Sequence, residues 1–317
     1  MIQRFVFGTP LPTDSVVQDV LPSEGAVPFL TADPAAGGWE YTMTDDTIVY
    51  GLGEMPRGIN KRGWHYVANN TDESHHSEDK LSYYGAHNFL LIDPGAGCKP
   101  FGIFIDYPGK VFYDIGYTDH DTLRFHTEDA NYALYILTGE SCPDIARQLR
   151  GLIGRSYIPP KWAFGFQQSR RGYKTADDVR EIARQYQAND LPLDMICMDI
   201  DYMQDYADFT INQERFPDLA ALSAELKAQG IRLVPIIDAG VRIDKNDATC
   251  TEGLEKGYFC KKADGTPFVA AVWPGKAYFA DFLRPEVRSW FGHRYKVLTD
   301  CGIEGFWNDM NEPALFY

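Results

Sequence analysis

The sequence predicts an antiparallel β-sandwich followed by the first half of a (β/α)8 barrel. Two observations carry this. Up to about residue 155 the chain is a series of short alternating or apolar runs split by Gly, Pro, Asp and Asn; beyond it, apolar runs alternate with helical patterns. A third observation chooses among parallel folds: the first turn of the second region reads "QQSRRGYKT", with one glycine where a nucleotide-binding loop would carry several.

In the first region, assigned to 1–155, "TIVYGLGE", "NFLLID", "FGIFIDYPGKVFYDIGY", "TLRFHT" and "YALYILTG" read as strands. "RSYIPPKW" then breaks any element with its paired prolines and marks the boundary. In 156–317, "WAFGFQQSR" reads as a strand and Thr175 as the N-cap of an amphipathic helix over "ADDVREIARQYQAND". "LDMICMDIDY" is the second strand and "PDLAALSAELKAQG" the second helix. "IRLVPIIDAG" is the third strand, followed by roughly forty residues that look irregular. A helix over "PEVRSWFGHRYKVLTDCG" and a strand over "IEGFWND" close the series. Strands apolar throughout belong in a parallel sheet covered on both faces. Four such strands are half of a barrel, so the chain is expected to be truncated at its C-terminus, with a second polypeptide segment supplying the rest.

Composition narrows the function. Asp and Glu outnumber Lys and Arg by 45 to 30, a net charge of −15, which disfavours nucleic acid as a partner. No stretch is long enough to cross a bilayer, no leader is visible, and the cytoplasm is the expected compartment. Six cysteines lie scattered without metal-ligand spacing, which suggests reduced core thiols. No metal or other cofactor is expected, and assembly into a homo-oligomer is compatible with the sequence.

In a barrel the chemistry sits at the carboxyl ends of the strands. The second strand ends in Asp199-Ile200-Asp201, the third in Asp238 and the fourth in Asp309, so three consecutive strands aim acids at one mouth. Converging carboxylates serve either a divalent cation or glycoside hydrolysis. Aromatic residues near those ends, including Tyr173, Tyr202, Trp273, Phe306 and Trp307, favour a sugar, whose C–H faces stack on rings. His75 and His76 lie in the β-region without ligand spacing.

The run "GFWNDMNEP" resembles glycoside hydrolase family 31, in its α-glucosidase branch. "YGLGE" with "NKRG", "YGAHNFLL", "IPPKWAFGFQQSR", "MDIDYM", "IIDAG" and "AAVWPG" agree with it and run in family order. The resemblance implies a retaining, exo-acting α-glucosidase that releases terminal non-reducing glucose from α-linked oligosaccharides, 1,4 or 1,6. It also implies Asp309 as the nucleophile and Glu312 as a support that helps order the site. Asp199, with Ile200 beside it, would bind the non-reducing sugar, and Ile237, Trp273, Trp307 and Met310 would line the same subsite. Asp201 and Asp238 would brace loops. A loop from the β-region, "NNTDES", would add Asp72. Arg171 stands where the family often has an aromatic residue, in the subsite for the reducing-side sugar. The family's general acid is an Asp on a later strand, outside these residues, so the 1–317 segment alone is expected to be inactive. A transglucosylase on the same scaffold and a non-catalytic carbohydrate-binding protein are the alternatives.

Overall fold

The computed structural model describes residues 1–33, 37–95 and 97–316. The chain forms two compact units, Met1–Ser156 and Tyr157–Tyr317.

Among the described residues, ten strands build the first unit: β1 (Ile2–Phe7), β2 (Thr31–Asp33), β3 (Gly38–Thr42), β4 (Ile48–Gly53), β5 (Trp64–Ala68), β6 (Ala86–Asp93), β7 (Phe101–Asp106), β8 (Val111–Ile115), β9 (Thr122–Thr127) and β10 (Tyr132–Thr138). They form two five-stranded sheets, ordered β1-β10-β7-β6-β4 and β2-β3-β9-β8-β5, and every pairing within them is antiparallel. Alternation along the strands sends Val49, Leu90, Ile103 and Leu134 from one sheet, and Tyr66, Val111, Ile115 and Leu123 from the other, into one shared core. β10 departs from alternation, with six consecutive buried residues. Its outer face is covered by a helix that the sequence reading did not identify, α1 (Cys142–Leu152), which packs Ile145 and Leu152 against Leu91, Tyr135 and Leu137.

The second unit has a curled parallel sheet, ordered β11 (Gln167–Ser169), β12 (Met195–Met198), β13 (Arg232–Asp238) and β17 (Trp307–Asp309). It is half of a TIM barrel. The connections run through α2 (Ala176–Ala188), α3 (Leu219–Ala228) and α5 (Pro285–Arg294), the last continued by the short α6 (Lys296–Thr299). Thr175 caps α2 as expected. Its hydroxyl accepts from the Asp178 amide while the Asp178 carboxylate accepts from the Thr175 amide, a reciprocal capping box.

The forty residues read as irregular are in fact ordered. They hold β14 (Gly240–Arg242), α4 (Ala248–Glu255), β15 (Val269–Val272) and β16 (Gly275–Phe279), with the strands in an antiparallel sheet ordered β14-β16-β15. Strands of three to five residues leave too little periodicity to be seen in sequence. All six cysteines are free; Cys197 and Cys250 are buried, but Cys98 is exposed rather than in a core. Among the described residues no helix is long and apolar enough to cross a membrane.

Candidate active site

Register decides which side chains share a face of the half-barrel. Ser169 pairs with Cys197, Cys197 with Val234, Ile236 with Trp307 and Asp238 with Asp309. Side chains alternate along a strand, so Met195, Cys197 and Asp199 emerge on the same face as Val234, Ile236 and Asp238, and as Trp307 and Asp309. The packing agrees: Met195, Cys197 and Val234 form one apolar cluster with Trp162 and Trp307. The opposite face, carrying Ile196, Met198 and Leu233, packs with residues of α2, α3 and α5. The acids Asp199, Asp238 and Asp309 therefore form the upper edge of a common inner face, with an apolar floor beneath them. Two residues past Ser169, Arg171 comes out level with Asp199.

Each acid is held by its own turn. Asp199 opens a 3-10 turn over Ile200–Tyr202, and its Oδ1 accepts the Ile200 amide at 2.8 Å. Asp309 repeats the device, its Oδ1 accepting the Met310 amide at 2.9 Å. Met310 adopts φ 59°, a left-handed conformation that a side chain of this kind rarely takes and that turns the chain sharply away from the strand end. Beyond it, the Phe316 amide donates to the Ala271 carbonyl at 2.9 Å, which ties the segment after Asp309 to β15.

Trp273 lies in the two-residue turn between β15 and β16, where Val272 pairs with Gly275. The Arg171 guanidinium sits 4.1 Å from its ring centroid, and Phe316 meets the same ring edge-on at 5.0 Å. Trp307 is fixed from its polar end, donating Nε1–H to the Met198 carbonyl at 3.1 Å. Burial pushes the Asp199 carboxyl up; the Ile200 amide and the Arg171 guanidinium pull it back down, against Asp201 and Asp309. Asp238 is more deeply placed, and burial, then Asp309 and Asp199, push it up to about 7.

Ile237, expected in the sugar subsite, alternates away from the acids. It pairs with Asn308 and is 1% exposed; Ile236 is 2% exposed and shares the same core cluster, so the register alone separates the two. The residue on the acids' face is its neighbour Ile236, a one-residue displacement that strand periodicity could have caught. Glu312 is half-buried, and its Oε2 meets no partner among the described residues. Asp201 is bonded to the loop after it: Arg215 Nη1 donates to its carbonyl at 3.2 Å and lies 3.8 Å from its carboxylate. In the sandwich, Asp72 is exposed and accepts from the Tyr84 hydroxyl at 3.0 Å. His76 stacks on Tyr83 at 4.6 Å, and His75 Nδ1 lies 3.0 Å from the Ser74 hydroxyl.

A cavity of about 360 Å³ adjoins Asp238 and Asp309. Phe279, Phe282, Phe291, Tyr295 and Asn308 line it, side chains of the outer face and its cover, and neither Asp199 nor Trp307 reaches it. A separate groove of about 730 Å³ lies toward the starts of the strands, lined by Trp162, Met195, Cys197, Val234 and Trp307, and none of Asp199, Asp238 and Asp309 reaches it.

Residues 156–317 match the TIM-barrel domain of the glycosyl hydrolases family 31, and residues 19–114 the glycosyl hydrolase 31 N-terminal galactose mutarotase-like domain. Alpha-glucosidase 2 of Bacillus thermoamyloliquefaciens is 41% identical over 276 residues, 86% of this chain and 35% of its own length. An alpha-glucosidase of Saccharolobus solfataricus is 30% identical over 270 residues, 84% of this chain and 38% of its own. Among solved structures, a Flavobacterium johnsoniae dextranase mutant of the same family, complexed with isomaltotriose, superposes with a TM-score of 0.80 at 25% identity, covering 92% of this chain and 35% of that one. The heterodimeric complex of endoplasmic-reticulum glucosidase II has the same fold, with a TM-score of 0.77 at 24% identity over 88% of this chain and 33% of that one. The chain thus spans little more than a third of the relatives it matches.

Proposed function

The chain belongs to glycosyl hydrolase family 31, and from that premise we propose that it carries the nucleophile half of a retaining, exo-acting α-glucosidase active site. The carrying observation is the in-register row of acids on the inner face, with Asp309 at the end of the fourth strand and one carboxylate oxygen engaged by the Met310 amide. That leaves the other oxygen for C1 of a bound glucose. Asp309 attacks, the glycosidic C–O bond breaks, and the leaving oxygen takes its proton from an acid in a polypeptide segment beyond these residues. Water then hydrolyses the glycosyl-enzyme with overall retention.

Asp199 accepts hydrogen bonds from sugar hydroxyls, Ile236 and Trp307 supply the apolar wall, and Met310 fixes the turn. The Arg171–Trp273 stack borders the place of the reducing-side sugar, with α-gluco-oligosaccharides as the substrate class. Glu312 orders the turn after Asp309.

Treating the full-length enzyme with 5-fluoro-α-glucosyl fluoride, then digesting it and measuring peptide masses, tests the assignment. The expected result is a fluoroglucosyl adduct on Asp309, and its absence after Asp309→Asn. An adduct on another residue, or none while hydrolysis continues, overturns it.

A further inference from the structure

We propose that Asp238 is a positioning residue for the nucleophile, a carboxyl group that keeps its proton and donates it in a hydrogen bond to the Asp309 carboxylate. The inference rests on the reading of Asp309 as nucleophile and adds a role that a loop brace would not have.

Geometry comes first. Asp238 and Asp309 are in-register partners at the ends of adjacent parallel strands, with both side chains on the inner face. Strands in a sheet lie about 4.8 Å apart, so two carboxyl groups placed this way are direct neighbours across the pair, and the two interact electrostatically. Asp238 is 4% exposed, and its Oδ1 has no partner among the described residues. Behind it stands a second buried acid, Asp208, also 4% exposed. Asp208 Oδ1 accepts the Asp238 backbone amide at 3.0 Å, so Asp208 fixes the end of β13 without occupying the Asp238 side chain.

Charge then decides the protonation state. The groups facing Asp238 are Asp309, Asp199 and Asp208, all acids, together with the Tyr202 hydroxyl. That hydroxyl already donates to the Ile236 carbonyl at 2.8 Å. Asp208 in turn faces Asp238, Asp247, Tyr202 and Tyr295. No Lys, Arg or His forms an ion pair with Asp238 or Asp208 among the described residues, whereas Asp199 has Arg171 as its nearby cation. A buried carboxylate without a cation, ringed by other acids, is held neutral. Burial and Asp309 raise Asp238 to about 7, and burial and Asp238 hold Asp208 well above the usual range. A neutral carboxyl is a donor, and the in-register acceptor is Asp309.

The proton stays on Asp238 throughout the reaction. It orients the Asp309 oxygens, and the leaving group is protonated from elsewhere. As pH rises through the Asp238 range, the donor is lost and a negative charge appears beside the nucleophile, so the first step slows on the alkaline side.

The test uses the full-length enzyme with α-glucosyl fluoride, whose leaving group needs no protonation. Wild type should lose kcat/KM above about pH 7. Asp238→Asn, which keeps an N–H donor but cannot ionise, should retain most of the neutral-pH rate and lose that alkaline limb. Asp238→Ala should lower kcat by roughly 10², the usual effect of removing one donor from a charge-bearing site, with little change in KM. An Asp238→Asn enzyme with the wild-type pH profile overturns the proposal, whether or not the alanine variant folds. Equal loss of kcat in both variants overturns it too. Trapping separates the two readings: if wild type forms no adduct on Asp309 the glucosidase assignment fails, whereas an adduct with unaltered Asp238→Asn behaviour sinks only the positioning role.

Discussion

Arg171 is the residue where this chain's chemistry departs from the expected aromatic. Its guanidinium covers one face of Trp273 and, among the described residues, has no carboxylate in ion-pair contact. A flat cation on a ring is worth about 0.5–2 kcal/mol, enough to fix the side chain while leaving its N–H edges free to meet hydroxyls. We expect Arg171→Tyr to change the ratio of kcat/KM for α-1,4- against α-1,6-linked glucose disaccharides by about tenfold or more. α-Glucosyl fluoride, which has no reducing-side sugar, should respond least. Equal changes for all three substrates would place Arg171 outside that subsite. The sequence displayed Arg171 and Trp273 a hundred residues apart; only the β15–β16 turn brings them together.

At the scale of elements, alternation was the strongest signal and also the one misapplied. Six sandwich strands, β4 and β6 to β10, and the parallel strands were legible from apolar runs bounded by turn residues, whereas β1, β2, β3 and β5 were not identified. Thr175 as a cap, with the amphipathic pattern after it, announced α2. α1 escaped because Ser141 makes no side-chain cap bond and Pro143 reads as a break, although proline is at home in a first helical turn. β14, β15 and β16 escaped because they are short. Within β13, the family resemblance pointed to Ile237, while the two-residue period counted back from Asp238 selects Ile236. The two positions should therefore fail differently. Ile236→Ser should raise KM if its side chain borders the sugar, and should also cost stability, since it is 2% exposed and packs in the same core cluster as Ile237. Ile237→Ser should leave KM near wild type but lower the melting temperature and yield, because it puts a hydroxyl without a partner into the core under the sheet. The reverse pattern would restore the sequence-based assignment. The acids themselves were readable as strand-end residues, but the burial of Asp238 among other acids without a paired cation was not, since it appears only in three dimensions.

For the whole molecule, the decisive feature is a barrel sheet with two open edges. Among the described residues β11 and β17 each pair on one side only, and exposed apolar side chains flank both: Phe164 and Phe166 near β11, Leu315 and Phe316 near β17. In a closed barrel such edges pair and the inner face is filled by facing strands. Unpaired edges beside exposed aromatics invite association. The nucleophile side of the site is also only half of the chemistry, because proton donation to the leaving oxygen typically supplies about 10²–10⁴ in rate. We therefore expect residues 1–317, prepared alone, to self-associate in sedimentation and to show no measurable turnover of α-glucosides. Supplying the remaining barrel strands as a second polypeptide should restore both a discrete particle and the Asp309 adduct. A monomeric, catalytically active 1–317 would show instead that the half-barrel closes on itself and finds its proton donor among Asp199, Asp238 and Glu312.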